Sequence, residues 1–255
     1  MKRARGLLAP ATVSEYDGVR YLHLGTEWVQ GAMRLAKPDA IELEYVRRMM
    51  AWMLWRPDEE LTQGHAVQLG LGAGTVTRFC HGVLGLATTA VEINPTVIGV
   101  ARAYFWLPHD GAGLRVVKAD AARWVADARH HGGAQVLVVD LYDHEAAAPV
   151  LDDEDFYAGC RQVLAPGGVM SVNLFGRRSS FAHSAARIAR VFGIGQVWSL
   201  QPTKEGNTVV IAARDVQVPG REALLHRADT IEARFGLPAR RWLRMVRPLN
   251  LTPTP

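Results

Sequence analysis

Four acidic residues of this sequence stand where an apolar run ends. Glu92 lies near the end of one run, Asp120 follows a second, Asp140 ends a third, and Asp143 comes three residues later. In open α/β sheets, ligands bind in the crevice outside the carboxyl ends of the strands. Acids at equivalent strand ends therefore predict one ligand-binding crevice lined by carboxylates.

Three glycines at alternate positions, Gly70, Gly72 and Gly74, follow another apolar run and precede a helical pattern. Such a strand-turn-helix segment brings bare backbone close to a ligand. A dinucleotide fingerprint needs a further glycine where Thr75 stands, so the spacing favours an S-adenosylmethionine-type molecule over NAD. Glu92, at the end of the next strand, is placed to accept hydrogen bonds from a ribose diol.

Asp140 follows an entirely apolar stretch, residues 136–139. A carboxylate there is desolvated unless it is paired, so we expect a cationic partner or a perturbed pKa. Asp120 precedes a helix and is either its N-cap or an adenine contact, two roles that are compatible.

Composition limits the classes of protein. The 255 residues suffice for one large α/β domain with an appendage, and the net charge of +4 comes mostly from arginine, without a basic stripe interleaved with aromatics. We therefore expect no nucleic-acid partner. Cys80 and Cys160 have no disulfide or zinc spacing and are predicted to be buried free thiols, with no metal site. No apolar run approaches 18 residues, which predicts a cytoplasmic protein without a membrane partner.

The first 60 residues are predicted to form a β-hairpin appendage and a connecting helix. Two strand-like runs flank Asp17-Gly18, a strong hairpin signal, and a further short run covers residues 28–30. Asp39 and Glu42 are spaced as a helix start, and an apolar helical face follows from Tyr45.

Residues 61–255 alternate strands and helices as in βα units. Residues 195–200 and 207–213 are two late strands joined by a short loop, so they must be antiparallel. A mostly parallel sheet with one antiparallel hairpin predicts a Rossmann-like class I methyltransferase fold, and residues 221–235 predict a terminal amphipathic basic helix. The other predicted strands cover 66–71, 87–93, 114–118, 135–141 and 168–175, and the helices cover 76–83, 95–104, 121–130 and 154–164.

Between Trp28 and Ala213 the sequence resembles the spermidine synthase family of polyamine aminopropyltransferases. The resemblance implies that Glu92 binds the cofactor ribose, that Asp120 and Ala121 contact adenine, and that Asp143 holds an amine. It also implies that Asp140 accepts the amine's proton, and it places substrate contacts at Tyr45, Gln30 and Tyr142. The segments that carry it are Trp28-Val29-Gln30, Val91-Glu92-Ile93-Asn94-Pro95, Ala119-Asp120-Ala121, Val139-Asp140-Leu141-Tyr142-Asp143 and Leu164-Ala165-Pro166-Gly167-Gly168.

The sequence departs from the family pattern at three places. Ala73 replaces an aspartate of the glycine-rich segment, Val46-Arg47 replaces a pair ending in glutamate, and the loop at 202–207 lacks an aromatic residue. The expected function is aminopropyl transfer from decarboxylated S-adenosylmethionine to an amine by a homodimer. Two alternatives stay open: methyl transfer from S-adenosylmethionine to a small molecule, and nucleoside binding without catalysis.

Overall fold

The computed structural model describes residues 8–142, 151–175 and 178–249, except for the side chains of 178 and 179. It contains a small antiparallel sheet near the N-terminus and a large mixed sheet flanked by helices. The predicted α/β class and Rossmann-like fold are confirmed.

The small sheet consists of β1 (Ala11–Tyr16), β2 (Val19–Leu24) and β3 (Gly31–Arg34). Asp17 and Gly18 have φ values of 49° and 69°, as a tight hairpin with both central residues left-handed requires. The sequence predicted the third strand at residues 28–30, but β3 begins at Gly31, so this prediction was wrong by a few residues. Residues 31–33 are buried against β2, whereas Trp28 is 58% exposed, so burial selects the later segment.

Helix α1 (Glu44–Met49) continues as a 3-10 turn, Met50–Trp55, and its fully buried apolar residues confirm the predicted core face. The predicted start at 39–42 was wrong. Glu42 forms an ion pair with Arg34 at 2.6 Å, and Arg47 donates to the carbonyls of Ile41 and Glu42. These contacts hold the preceding segment as a turn.

The strands of the large sheet are β4 (His65–Leu69), β5 (Ala87–Glu92), β6 (Leu114–Lys118), β7 (Ala134–Val139), β8 (Leu164–Phe175), β9 (Val197–Leu200), β10 (Asn207–Ala213) and β11 (Val246–Pro248). Their order across the sheet is β11-β9-β10-β8-β7-β4-β5-β6. The neighbouring strands among β4 to β8 are parallel, whereas β10 runs antiparallel to both β8 and β9, which confirms the late hairpin.

The remaining helices are α2 (Thr75–Arg78, continuing as a π-helix at Phe79–Val83), α3 (Pro95–Tyr104), α4 (Ala121–Ala126), α5 (Glu154–Val163), α6 (Arg178–Phe192), α7 (Arg221–Phe235) and α8 (Ala239–Met245). They cover both faces of the large sheet. Helices α6 and α8 were not predicted, and α7 is not terminal because α8 and β11 follow it. Trp242 of α8 is fully buried, so packing orders a segment that the sequence pattern did not mark.

Both cysteines are buried free thiols, as predicted. Burial raises the pKa of the Cys80 thiol to about 12. Among the described helices, none is long and apolar enough to cross a membrane.

Candidate functional site

The glycine turn joins β4 to α2 at the carboxyl edge of the sheet. The backbone φ values of Gly70, Gly72 and Gly74 are 86°, 52° and 71°, which residues other than glycine rarely adopt. A Cβ atom on Gly70 would stand 2.1 Å from the carbonyl oxygen of Asp140. The turn therefore passes directly beside the segment that follows β7.

Two polar side chains stabilise this turn by hydrogen bonds to its backbone carbonyls. The amide of Gln68 donates to the carbonyl of Gly70 at 2.6 Å and accepts from the hydroxyl of Thr77 at 2.5 Å. The buried guanidinium of Arg78 donates to the carbonyls of Ala73 and Phe105, both at 2.7 Å, and burial lowers its pKa to about 10. Sequence reasoning missed the roles of Gln68 and Arg78, although a glutamine inside an apolar strand was a signal.

Glu92 closes β5 and faces the turn. Its Oε2 accepts from the backbone N–H of Leu71 at 3.0 Å, and its Oε1 accepts from that of Asn94 at 2.8 Å. Burial raises the pKa of this carboxyl group, and the N–H donors oppose that shift. The structure thus brings Glu92 to the glycine turn.

Asp120 follows β6 and caps α4. Its Oδ1 accepts from the N–H groups of Ala122 at 2.8 Å and Arg123 at 3.4 Å, so the predicted N-cap is confirmed. Ala121 is buried beneath it. Contact of Asp120 and Ala121 with adenine stays a prediction.

Asp140 follows β7 and lies in the wall of a small pocket. Its Oδ2 accepts from the Tyr45 hydroxyl at 3.2 Å and its Oδ1 from the Asn173 amide at 2.9 Å. Burial raises the pKa of Asp140, and the two hydrogen bonds counteract the shift. The sequence predicted either a cationic partner or a perturbed pKa for Asp140. Its hydrogen-bond partners among the described side chains, Tyr45 and Asn173, are neutral, and the direction of the pKa shift agrees with the second possibility.

The pocket measures about 20 Å³ and contains Gln30, Tyr45, Gly72 and Asp140 in its wall. That volume accommodates about one water molecule. The side-chain nitrogen of Gln30 is buried without a hydrogen-bond partner among the described residues. An unsatisfied buried donor in the same pocket wall as a carboxylate fits a polar ligand at this place.

Tyr142 is held against the end of β8. Its hydroxyl donates to the carbonyl of Asn173 at 2.9 Å and accepts from the N–H of Phe175. The structure therefore directs this hydroxyl to the strand backbone, and a substrate contact of Tyr142 stays a prediction. Asp143 lies outside the described residues.

The departures from the family pattern change the pocket wall in different ways. Ala73 is buried against Gly31, where an added Cβ would come within 2.6 Å of the Ala73 Cβ. Val46 lies in the pocket wall, but Arg47 points to the carbonyls of Ile41 and Glu42. The arginine therefore does not bring its charge into the pocket.

Asn173 was not singled out by sequence reasoning, although an amide in the buried run of β8 is unusual. It is 3% exposed and donates to Asp140. In the described part of the chain, no group of three or more His, Cys, Asp or Glu residues is arranged to hold a metal ion.

A mostly parallel sheet with a glycine turn and acidic side chains at neighbouring strand ends defines a Rossmann-like fold of the class I S-adenosylmethionine-dependent transferases. No protein-family model matches the chain. It is 39% identical over 229 residues to the polyamine aminopropyltransferase of Chromobacterium violaceum, covering 88% of this chain and 84% of that protein. The chain belongs to the polyamine aminopropyltransferase family.

Two further proteins are similar to the chain. The polyamine aminopropyltransferase of Neisseria meningitidis serogroup A is 33% identical over 240 residues, covering 93% of this chain and 89% of the relative. A probable spermidine synthase from Corynebacterium glutamicum has a TM-score of 0.72 at 17% identity, covering 96% and 95% of the two chains. The second similarity concerns the fold alone.

Proposed function

We propose that the protein transfers the aminopropyl group of decarboxylated S-adenosylmethionine to a small amine, with Asp140 as the proton acceptor. The observation that carries this proposal is the position of Asp140. Its carboxylate shares a pocket with the glycine turn and bonds to neutral donors alone among the described side chains.

The nucleoside end of the donor fits the turn and the two neighbouring acids. The carboxylate of Glu92 accepts from the backbone N–H groups of Leu71 and Asn94 and interacts with that of Ile93, while its two oxygens together offer about four acceptor sites. The acceptor capacity that remains suits a ribose hydroxyl. Oδ2 of Asp120 accepts no hydrogen bond from the described residues and suits an amino group of adenine.

The transfer step needs a neutral amine next to an activated carbon. The amine lone pair forms a new carbon–nitrogen bond, the carbon–sulfur bond breaks, and its electron pair stays on sulfur, which leaves neutral methylthioadenosine. An amine of pKa near 10 is protonated at neutral pH, so its proton must go to a base. Asp140 accepts that proton, and the raised pKa brings the carboxylate closer to a matched base.

The acceptor pocket favours an amine on an apolar chain. Its wall contains Leu43, Val46, Leu71 and Val76, and Asp140 is the one charged residue among the described residues that line it. Binding must widen the pocket beyond its volume of about 20 Å³. A second ammonium group, as in putrescine, would be held by Asp143, in line with the family resemblance.

Ala73 bears on the choice of donor. Ala73 packs against Gly31 and stands where the family pattern has an aspartate, so the turn lacks that carboxylate. A donor that retains its own carboxylate meets no repulsion at this position, so full S-adenosylmethionine is the competing donor and methyl transfer the competing reaction.

We also propose a cytoplasmic homodimer that works without a metal. Trp28 and Val29 are 58% and 41% exposed in the loop between β2 and β3 and support a protein contact there. Sedimentation at several protein concentrations tests the dimer, and activity after chelation with EDTA tests the independence from metal.

The decisive experiment combines each donor with a panel of monoamines and diamines and records product masses. Gain of an aminopropyl unit with release of methylthioadenosine supports the proposal. Gain of a methyl group supports the competing reaction. Calorimetry with both donors, methylthioadenosine and NAD as a control separates binding from turnover, and absence of any sulfonium or thioether nucleoside binding would refute the proposal.

A further inference from the structure

A chain of two asparagine side chains connects Asp140 to the late hairpin. The Asn173 amide nitrogen donates to Oδ1 of Asp140 at 2.9 Å, and the Asn207 amide nitrogen donates to the Asn173 side-chain oxygen at 3.1 Å. Asn207 begins β10, and Asn173 lies near the end of β8. The proton acceptor of the proposed reaction is thus linked to a hairpin that lies outside its pocket wall.

The direction of both amides follows from the chemistry of a carboxylate. An ionised carboxylate only accepts hydrogen bonds, so Asn173 must present its NH₂ group to Asp140. Its carbonyl oxygen then faces Asn207, which must in turn present its own NH₂ group. The two amides are therefore aligned in the sense that favours the charged form of Asp140.

The far end of this chain is anchored by the hairpin loop. The N–H of Thr203 donates to the carbonyl of Asn207 at 2.8 Å, and the N–H of Asn207 donates to the hydroxyl of Thr203 at 3.2 Å. Asn207 also pairs with Phe175 in the ladder between β10 and β8. These backbone bonds fix the position from which the Asn207 amide reaches Asn173.

We propose that Asn173 and Asn207 are positioning residues that hold Oδ1 of Asp140, so that Oδ2, which accepts from Tyr45 and keeps a second acceptor site, is the oxygen that takes the amine's proton. This inference rests on the proposed function. Asn207 acts only through Asn173, because it donates to the Asn173 side chain and has no bond to Asp140.

Substitution at either asparagine must move the protonation of Asp140 in one direction. Asn173→Leu removes the donor to Oδ1, so the carboxylate loses stabilisation and the acidic limb of the kcat profile moves upward by about one to two pH units. Asn207→Leu frees the Asn173 amide to rotate, which moves the limb in the same direction by about half a pH unit. Among the described residues, the other titratable groups that face Asp140 are Tyr45 and Tyr142. Neither tyrosine is altered in the two asparagine variants.

The test is a double-mutant cycle with pH profiles. If Asn207 acts through Asn173, then Asn207→Leu has no further effect in the Asn173→Leu background. Thr208→Val is the matched control: Thr208 is the next residue of β10, is 8% exposed, and takes no part in this chain of amides. It should leave the acidic limb in place.

Titration of the Asp140 carboxyl by NMR on ¹³C-labelled aspartate gives a second measurement without substrate. The signal is assigned by its loss in Asp140→Asn. An upward movement of the carboxyl titration in Asn207→Leu, abolished in the double variant, supports the proposal even if Asn173→Leu lowers the melting temperature. Additive effects of the two substitutions, or no effect of Asn207→Leu, would overturn it. Failure of the wild-type protein to transfer an aminopropyl group refutes the proposed function instead, and the carboxyl titration still decides the role of the asparagines.

Discussion

Asp140→Asn separates the chemical role of Asp140 from its structural role. An asparagine at 140 fits the same space, with its amide oxygen accepting from Asn173 and its NH₂ group facing the Tyr45 oxygen. Both neighbouring groups keep a partner, so the fold should persist. The substitution removes the base alone.

The expected loss of turnover is about 10²- to 10⁴-fold, the range of a lost general base. Donor affinity should stay nearly unchanged, because Glu92, Asp120 and the glycine turn are not altered.

Stability should respond in the opposite sense to activity. Burial raises the pKa of Asp140 above its unfolded value, so the folded state binds its proton more tightly than the unfolded state. The wild-type protein therefore loses stability as pH rises from about 3.9, the unfolded value, through the folded pKa, by about 1.4 kcal/mol for each pH unit that separates the two pKa values. Asp140→Asn lacks this loss and should be at least as stable as the wild type at neutral pH.

Asp152→Asn is the matched control. Asp152 is also a partly buried acid that accepts from a tyrosine, Tyr157 at 2.8 Å, but it additionally pairs with Arg187 of α6 at 2.6 Å. Its substitution should lower the melting temperature and leave turnover per folded molecule close to that of the wild type. Melting temperature, donor affinity by calorimetry and turnover are measured on both variants. Full activity of Asp140→Asn, or parallel loss of stability, affinity and turnover, would refute the assignment of Asp140 as the base.

Four further predictions concern the neighbouring residues. Glu92→Gln replaces one acceptor oxygen by a donor that faces a backbone N–H, so methylthioadenosine affinity measured by calorimetry should fall about tenfold or more; unchanged affinity would contradict the ribose site. Tyr45→Phe removes a donor to Asp140 and should move the acidic limb of the kcat profile to higher pH, and movement to lower pH would be inconsistent with this contact. Gly70→Ala places a methyl group 2.1 Å from the Asp140 carbonyl at a left-handed φ, so both melting temperature and donor binding should decrease, and wild-type values for both would contradict the tight turn. Asp143→Asn should raise the KM for a diamine more than it lowers kcat, and an unchanged KM would remove the proposed contact with the second ammonium group.

The site residues that sequence reasoning identified are those whose signal is local. The glycine turn, Glu92, Asp120 and Asp140 each follow an apolar run, and parallel strands bring their carboxyl ends together whatever the detailed packing. The same logic predicted the late antiparallel hairpin, because a short loop leaves no room for a crossover. Segments without such a signal, α8 and β11, were missed since burial of Trp242 against the rest of the fold orders them.

Local sequence was enough to establish which residues stand at the strand ends and which kind of ligand their spacing suits. Tertiary structure was needed to establish how they are connected: Tyr45 reaches Asp140 across 95 positions of sequence, and Asn173 reaches it across 33. It also decided that Val46 faces the pocket while Arg47 turns away. The physical reason is that periodicity and turn chemistry are properties of neighbouring residues, whereas the partner of a buried polar group is set by packing between elements that are distant in the chain.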